Sequence, residues 1–242
     1  MKTNLYIEKV MFNKDFNDES YILKIPVVNK LLQNKELKFN KPVTFIVGEN
    51  GTGKSTLLEA IAVCAGFNAE GGSKNFNFST KSTESALHQY IKLSKKSHEH
   101  DGFFLRAESF YNVATQVDEM ELNLEGYGGK SLHHQSHGES FMALVQNRFR
   151  GRGLYILDEP EAALSPLRQM SLLAELNRLV KNDSQFIIAT HSPILLAYPN
   201  ADIFELTMDD IEIVEYKKTE HYNLTKQFLD NPEKMLRYLF DE

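Results

Sequence analysis

The chain has 242 residues, enough for one large domain, and its 42% hydrophobic and 25% charged content is ordinary for a globular fold. A formal charge of −6 excludes broad electrostatic attraction to nucleic acid or anionic lipid, leaving room only for a local basic patch. One cysteine, Cys64, excludes a disulfide framework and a multi-cysteine zinc site. With no signal-peptide pattern in "MKTNLYIEKVMF" and no long apolar run, the expectation is a cytoplasmic protein without direct membrane insertion.

"NLYIEKVMF" and "SYILKIPVV" are rich in β-branched and aromatic residues and are expected to be strands, separated by the turn-like "NKDFND". "KPVTFIVG" is a short apolar run ending in glycine, expected as a buried strand. "STLLEAIAVCAG" follows with helix formers and a closing Gly66. Residues 68–100 are polar and predict an exposed loop, with a short helix near "SALHQYIKL" and charged "KLSKKSHEH". "GFFLRAESF" predicts a strand, "YNVATQVDEMELN" a helix, and "LEGYGGKSLHHQ" a glycine-bearing loop. "LYILDE" predicts a strand. "SPLRQMSLLAELNRLVK" predicts a helix with Ser165 as N-cap and Pro166 in its first turn, its apolar Leu167, Met170, Leu173, Leu176 and Val180 at helical spacing. "SQFIIATH", "DIFEL" and "IEIVEY" predict three more strands, and a last helix starts near Asn231-Pro232. This strand–helix alternation indicates an α/β core with mixed strands on its N-terminal side.

"GENGTGKST" fits the G-x-x-x-x-G-K-[ST] pattern of a phosphate loop from Gly48 to Ser55. Gly48, Gly51 and Gly53 free the backbone to turn its N–H groups toward one point, with Glu49, Asn50 and Thr52 between them. The positive end of the following helix faces the same point. Lys54 is expected on the β- and γ-phosphates, Ser55 on Mg²⁺ and Thr56 near the α-phosphate. The strand before the loop and the helix after it make a chance match a poor explanation.

"LYILDEP" places Asp158 and Glu159 at the end of an apolar strand, where α/β sheets bind ligands. Asp158 is expected to hold Mg²⁺, and Glu159 to polarise or deprotonate the attacking water in phosphoryl transfer. His191 ends the next apolar run and is a candidate for the γ-phosphate. "SHGES" carries Ser136-x-x-Glu139, a capping box before the apolar Phe141, Leu144, Val145 and Phe149, so it predicts a helix N-terminus. Such an end, with a serine and a glycine, is also a ready anion site.

The order of phosphate loop, serine–glycine motif, Asp-Glu strand end and strand-end histidine resembles the ATP-binding-cassette (ABC) ATPases. "SHGES" stands where that family has its Leu-Ser-Gly-Gly-Gln signature. The details are similar to the small stand-alone ABC-type ATPases of the AAA class rather than to transporter subunits. The resemblance implies a P-loop NTPase fold with a mainly parallel sheet, flanking helices, an N-terminal antiparallel β-segment and a small helical lobe. It implies one domain over 1–242: core at 1–66 and 150–215, helical lobe with signature at 67–149, helical tail at 216–242. It also implies a head-to-tail homodimer, in which ATP on the loop of one subunit is closed over by Ser136, Gly138 and Glu139 of the other. Glu159 is then the general base, His191 the switch histidine, and "EAALSP" (161–166) the loop crossing the interface. The chain departs from the transporter pattern in three places: a histidine follows Ser136, Ser165 replaces an aspartate, and Arg106-Ala107-Glu108 stand where a glutamine is usual. Glu108 or Gln116 is left for that role. No aromatic is placed to stack on adenine, so ATP as the nucleotide rests on the resemblance.

His133, His134 and His137 lack the carboxylate or cysteine partners of a metal site and suit a solvated loop. Arg148, Arg150 and Arg152 suit a solvated turn better than a nucleic-acid contact. Three functions follow: an ATP-driven switch acting on a protein effector or nucleic acid, a nucleotide-binding subunit of a membrane transporter, or an ATP-binding regulatory module with little turnover. A membrane partner marks the second; hydrolysis no faster than a Lys54→Ala control marks the third.

Overall fold

The apolar strands alternate in which face they cover, and that alternation builds two cores on one sheet. A computed structural model describes residues 5–12, 21–34, 36–74, 85–108, 110, 114–115, 133, 135–208 and 210–240. Six strands form the main sheet: β3 (Val43–Gly48), β5 (Asp101–Arg106), β6 (Gly153–Asp158), β7 (Gln185–Ala189), β8 (Ala201–Leu206) and β9 (Ile211–Ile213). Their order is β5-β6-β7-β3-β8-β9, parallel except for β9. Phe45, Phe103, Tyr155 and Phe186 point to one face, and Ile46, Phe104, Ile156 and Ile187 to the other, as the two-residue period of strands demands.

The first face is covered by α3 (His137–Arg148) and α4 (Pro166–Lys181), the second by α2 (Lys54–Ala65). A three-stranded antiparallel sheet, β2 (Glu36–Lys38), β1 (Ile7–Phe12) and β4 (Ile91–Lys95), packs on the second face. Buried Gln185 joins the sheets: its Oε1 accepts from the Tyr6 and Ile7 N–H groups at 2.8 and 2.9 Å, and its Nε2 donates to the Ile7 carbonyl at 2.9 Å. Each polar atom of that side chain is thus satisfied away from water.

Several sequence expectations are corrected. "SYILKIPVV" is not a strand: Tyr21–Lys24 is a 3-10 turn, and Pro26 opens helix α1 (Pro26–Asn34). Proline suits the first helical position because its missing N–H has no partner to lose. Val27, Val28 and Leu31 then share one buried face, and that burial outweighs their β-propensity. Part of the expected loop at 68–100 is strand β4, preceded by a 3-10 turn at Ala86–Tyr90. "IEIVEY" shrinks to the three residues of β9. In α4 the buried stripe is Gln169, Leu172, Leu176 and Leu179, whereas Leu167 and Met170 are exposed. A short helix, α5 (Pro193–Leu196), follows β7, and helix α6 (Glu220–Asp230), inside the helical tail expected at 216–242, precedes α7 (Pro232–Leu239). Most of "YNVATQVDEMELN" and "LEGYGGKSLHHQ", with Gln116 and His134, lies outside the described residues.

Arg148 is no free surface arginine. It pairs with Asp101 at 2.6 Å; Asp101 also accepts from the Tyr155 hydroxyl at 2.7 Å and the Arg150 N–H at 3.1 Å. Burial raises the Tyr155 hydroxyl pKa, and nearby Asp101 raises it further, so the phenol stays a donor. This hub fastens the C-terminal end of α3 to β5 and β6.

Candidate functional site

The strand order brings the C-terminal ends of β6, β7 and β3 together, and the predicted groups gather there. Gly48 ends β3, Glu49, Asn50 and Gly51 form the exposed tip, and Thr52 is buried, its hydroxyl donating to the Glu49 carbonyl at 2.9 Å. Gly53 has φ +97°, and a Cβ there would lie 2.5 Å from both Ile25 and Val27, the residues at the start of α1. Gly53→Ala is therefore expected to destabilise the fold by about 1–3 kcal/mol. In thermal melts this lowers the midpoint by several degrees; a melt within a degree of wild type would contradict the packing described here.

Lys54 opens α2 and is 5% exposed. Its ammonium donates to the Gly48 carbonyl at 2.7 Å and the Glu49 carbonyl at 2.9 Å, so it lies curled inside the loop. Burial lowers its pKa; Glu159, Asp158 and Glu161 oppose that shift. Ser55 donates to Asp158 Oδ1 at 3.1 Å, bringing the two expected Mg²⁺ ligands together, and Thr56 follows half-buried on the helix. Two hard oxygen donors side by side, one a buried carboxylate, suit Mg²⁺. Burial pushes the Asp158 pKa up to about 6, with Arg106 and Ser55 pulling the other way.

Arg106 sits opposite Asp158 in the β5–β6 register. Its Nε lies 3.5 Å from Asp158 Oδ2, and its other nitrogens reach Glu59 at 2.9 Å and Glu108 at 3.6 Å. Of the residues after "GFFL", the one against Asp158 is thus Arg106; the Glu108 side chain is 85% exposed.

Glu159 has φ +50° and ψ +51°, a left-handed conformation unusual for a side chain other than glycine. Its N–H donates to the Ala189 carbonyl at 3.0 Å. The turn carries the chain into a 3-10 segment, Pro160–Ala163, and aims the carboxylate at His191, whose Nε2 is 3.6 Å from Glu159 Oε1. Glu161 is tied to the same edge: it accepts from the Thr190 hydroxyl at 2.7 Å and from the His191 N–H. Burial raises its pKa and those two donors lower it. Glu161 was foreseen only as part of a crossing loop; its pairing with β7's end spans too much sequence for spacing to reveal.

Ser136 and Glu139 start α3 as expected. The Glu139 carboxylate accepts from the Ser136 N–H at 3.0 Å and its hydroxyl at 2.7 Å, and Arg168 donates to Glu139 at 3.1 Å. These hydrogen bonds, the Ser136 hydroxyl's first, lower the Glu139 pKa. Gly138 is buried, and a Cβ there would lie 2.6 Å from Arg168 and 2.9 Å from the Ala163 carbonyl, so only glycine fits. Among the described residues, no hydrogen bond or ion pair links 136–140 to the phosphate loop of the same chain.

A phosphate loop, an Asp-Glu strand end and a capped Ser-Gly helix, on a mostly parallel sheet beside an antiparallel one, define an ABC-type P-loop ATPase. Within that class the chain belongs to the AAA domain family, whose model matches residues 23–235. The DNA double-strand break repair Rad50 ATPase of Methanocaldococcus jannaschii is 38% identical over 60 residues, 25% of this chain and 6% of that protein. The ribose import ATP-binding protein RbsA of Bacillus cereus is 23% identical over 210 residues, 77% of this chain and 40% of that protein. The chain therefore spans less than half the length of either relative. Among solved structures, cbiO1 from Clostridium perfringens, part of the ABC transporter complex cbiONQ, has the same fold with a TM-score of 0.53. The identity is 20%, with 98% of this chain and 99% of that one covered. No described helix is long and apolar enough to cross a membrane.

Proposed function

We propose that the chain is an ATPase that binds Mg-ATP at a head-to-tail homodimer interface and uses opening and closing to act on a partner. The observation that carries the reading is the split of the site. Lys54, Ser55, Asp158, Glu159 and His191 converge on one edge of the sheet, while the Ser136 helix end faces solvent apart from its own chain's loop. A second subunit supplies the missing half if its Ser136, Gly138 and Glu139 meet the γ-phosphate. ATP bound at both sites of the interface then stabilises the closed state by linkage.

On this reading, phosphate oxygens replace the Gly48 and Glu49 carbonyls as acceptors for Lys54. Ser55 and Asp158 hold Mg²⁺, which offsets phosphate charge when bound. Glu159 takes a proton from water as the water oxygen attacks the γ-phosphorus and the bond to the bridging β–γ oxygen breaks. His191 donates to a γ-phosphate oxygen. The coupled partner is a protein effector or nucleic acid, with the transporter role of RbsA and cbiO1 as the competing assignment.

The test mixes two dead variants. Lys54→Ala removes the loop lysine but keeps the helix end; Ser136→Arg does the reverse. Each alone is expected to be inactive. An equal mixture should recover roughly a quarter of wild-type ATP turnover, because half of the random pairs are mixed and each mixed pair holds one complete site. No recovery on mixing, with wild type active, would reject the shared site.

A further inference from the structure

The C-terminal helix α6 brings a second histidine to the site. His221 Nε2 lies 2.9 Å from His191 Nδ1, with the rings 5.1 Å apart and tilted by 51°. We propose that His221 is a positioning residue for His191: it donates to His191 Nδ1 and so fixes the tautomer whose Nε2–H faces Glu159 and the phosphate end of the loop. The proposal rests on the reading of His191 as a γ-phosphate donor.

The helix start that carries His221 is anchored, although the rest of α6 is largely exposed. Thr219 is fully buried and caps α6 by accepting from the Tyr222 N–H at 3.3 Å. The Tyr216 hydroxyl donates to the Pro193 carbonyl at 3.0 Å, two residues beyond His191. The Glu220 N–H donates to Glu205 on β8 at 3.3 Å. Its own cap and two other elements, the turn at Pro193 and strand β8, thus fix the start of the helix that carries His221. Together with His191, Glu49, Asn50, Glu220 and Leu224 it lines a cavity of about 410 Å³ beside the phosphate loop.

The contact between two ring nitrogens holds one proton, and the surroundings decide whose. If His191 Nδ1–H donated, its Nε2 lone pair would face the Glu159 carboxylate, 3.6 Å away. His221 would then carry its own proton on Nδ1, which is buried and without a hydrogen-bond partner among the described residues. A buried unpaired donor and two opposed lone pairs are both costly. With His221 Nε2–H donating, His191 carries its proton on Nε2, and that proton points at the carboxylate. Burial keeps both rings neutral by lowering their pKa; Lys54 lowers both further, His191 lowers that of His221, and Glu159, Glu205 and Glu220 oppose the shift. A neutral Nε2–H can still donate to phosphate.

The experiment reads the tautomer and the rate separately. Long-range ¹H–¹⁵N spectra of ¹⁵N-histidine protein, with His191→Gln to assign the signal, should show His191 as the Nε2–H tautomer at pH 7.5. His221→Phe, which keeps bulk but cannot donate, should give mixed tautomers and lower kcat about tenfold with KM for Mg-ATP nearly unchanged, the usual scale for losing an orienting partner. His221→Gln, whose amide N–H can donate to Nδ1, should restore the tautomer and most of kcat. A wild-type Nδ1–H tautomer, or a His221→Phe protein with unchanged tautomer and kcat, overturns the proposal. If wild type hydrolyses ATP no faster than Lys54→Ala, the ATPase reading fails, and the spectra alone decide whether His221 orients His191.

Discussion

Glu159→Gln is expected to lower steady-state ATP turnover about 10²–10⁴-fold while leaving Mg-ATP binding in place. The amide matches the carboxylate in size and fits the same left-handed turn, so Pro160–Ala163 and the Glu161 contacts are undisturbed. It cannot accept the proton of the attacking water. A dimer that closes on ATP and cannot hydrolyse it should accumulate, visible by sedimentation as an ATP-dependent doubling of mass that ADP does not produce. If the proposed partner reads the closed dimer, the trapped form is also the bait with which to capture it. Wild-type turnover in this variant would remove Glu159 from the role of general base.

Asp158→Asn should abolish turnover yet stabilise the nucleotide-free protein. The Asp158 pKa is raised in the fold to about 6 from an ordinary 3.8, chiefly by burial. A raised carboxylate favours the fold in its protonated form. That contribution is fully present below pH 3.8 and is lost as pH rises through 6. Near pH 7.5 the ionised side chain therefore costs roughly 3 kcal/mol relative to its protonated form. Asparagine removes that cost while Arg106 keeps its 2.9 Å pair with Glu59. The expected melt in EDTA at pH 7.5 is a few degrees above wild type, with the gain shrinking toward pH 4. Turnover should fall by about 10³-fold if Asp158 anchors Mg²⁺ as proposed. A variant melting below wild type at pH 7.5 would show that the carboxylate is held for its bonds to Ser55 and Arg106. Stability given up at a reactive group is a familiar pattern in enzymes.

The parts legible in the sequence were those encoded locally. The phosphate loop needs its glycines, lysine and serine in one short run, and the Ser136–Glu139 box needs only four residues. The strands of the main sheet showed as apolar runs because both their faces are buried. Helix α1 was missed because Val27 and Val28 favour strands intrinsically, and only the space beneath the phosphate loop makes them a helix face. Arg106–Glu59, Glu161–Thr190 and His191–His221 were missed because each joins residues far apart in the chain, with no spacing rule between them. Leu167 and Met170 show the converse: apolar residues at helical spacing that the fold leaves outside.

Asp101 ties one end of α3 to the sheet. It grips the C-terminal end of α3 through Arg148 and the Arg150 N–H, and the sheet through Tyr155. At the other end, the exposed Ser136 side chain meets Glu139 and Arg168, and its carbonyl accepts from the Glu139 and Ser140 N–H groups at 2.9 Å. A helix of this length spans about 18 Å, with Phe141, Leu144 and Val145 packed on the sheet between its ends, so any tilt about the Asp101 end is greatest at Ser136. A tilt of roughly 10° moves the Ser136 end by about 3 Å, the length of one hydrogen bond.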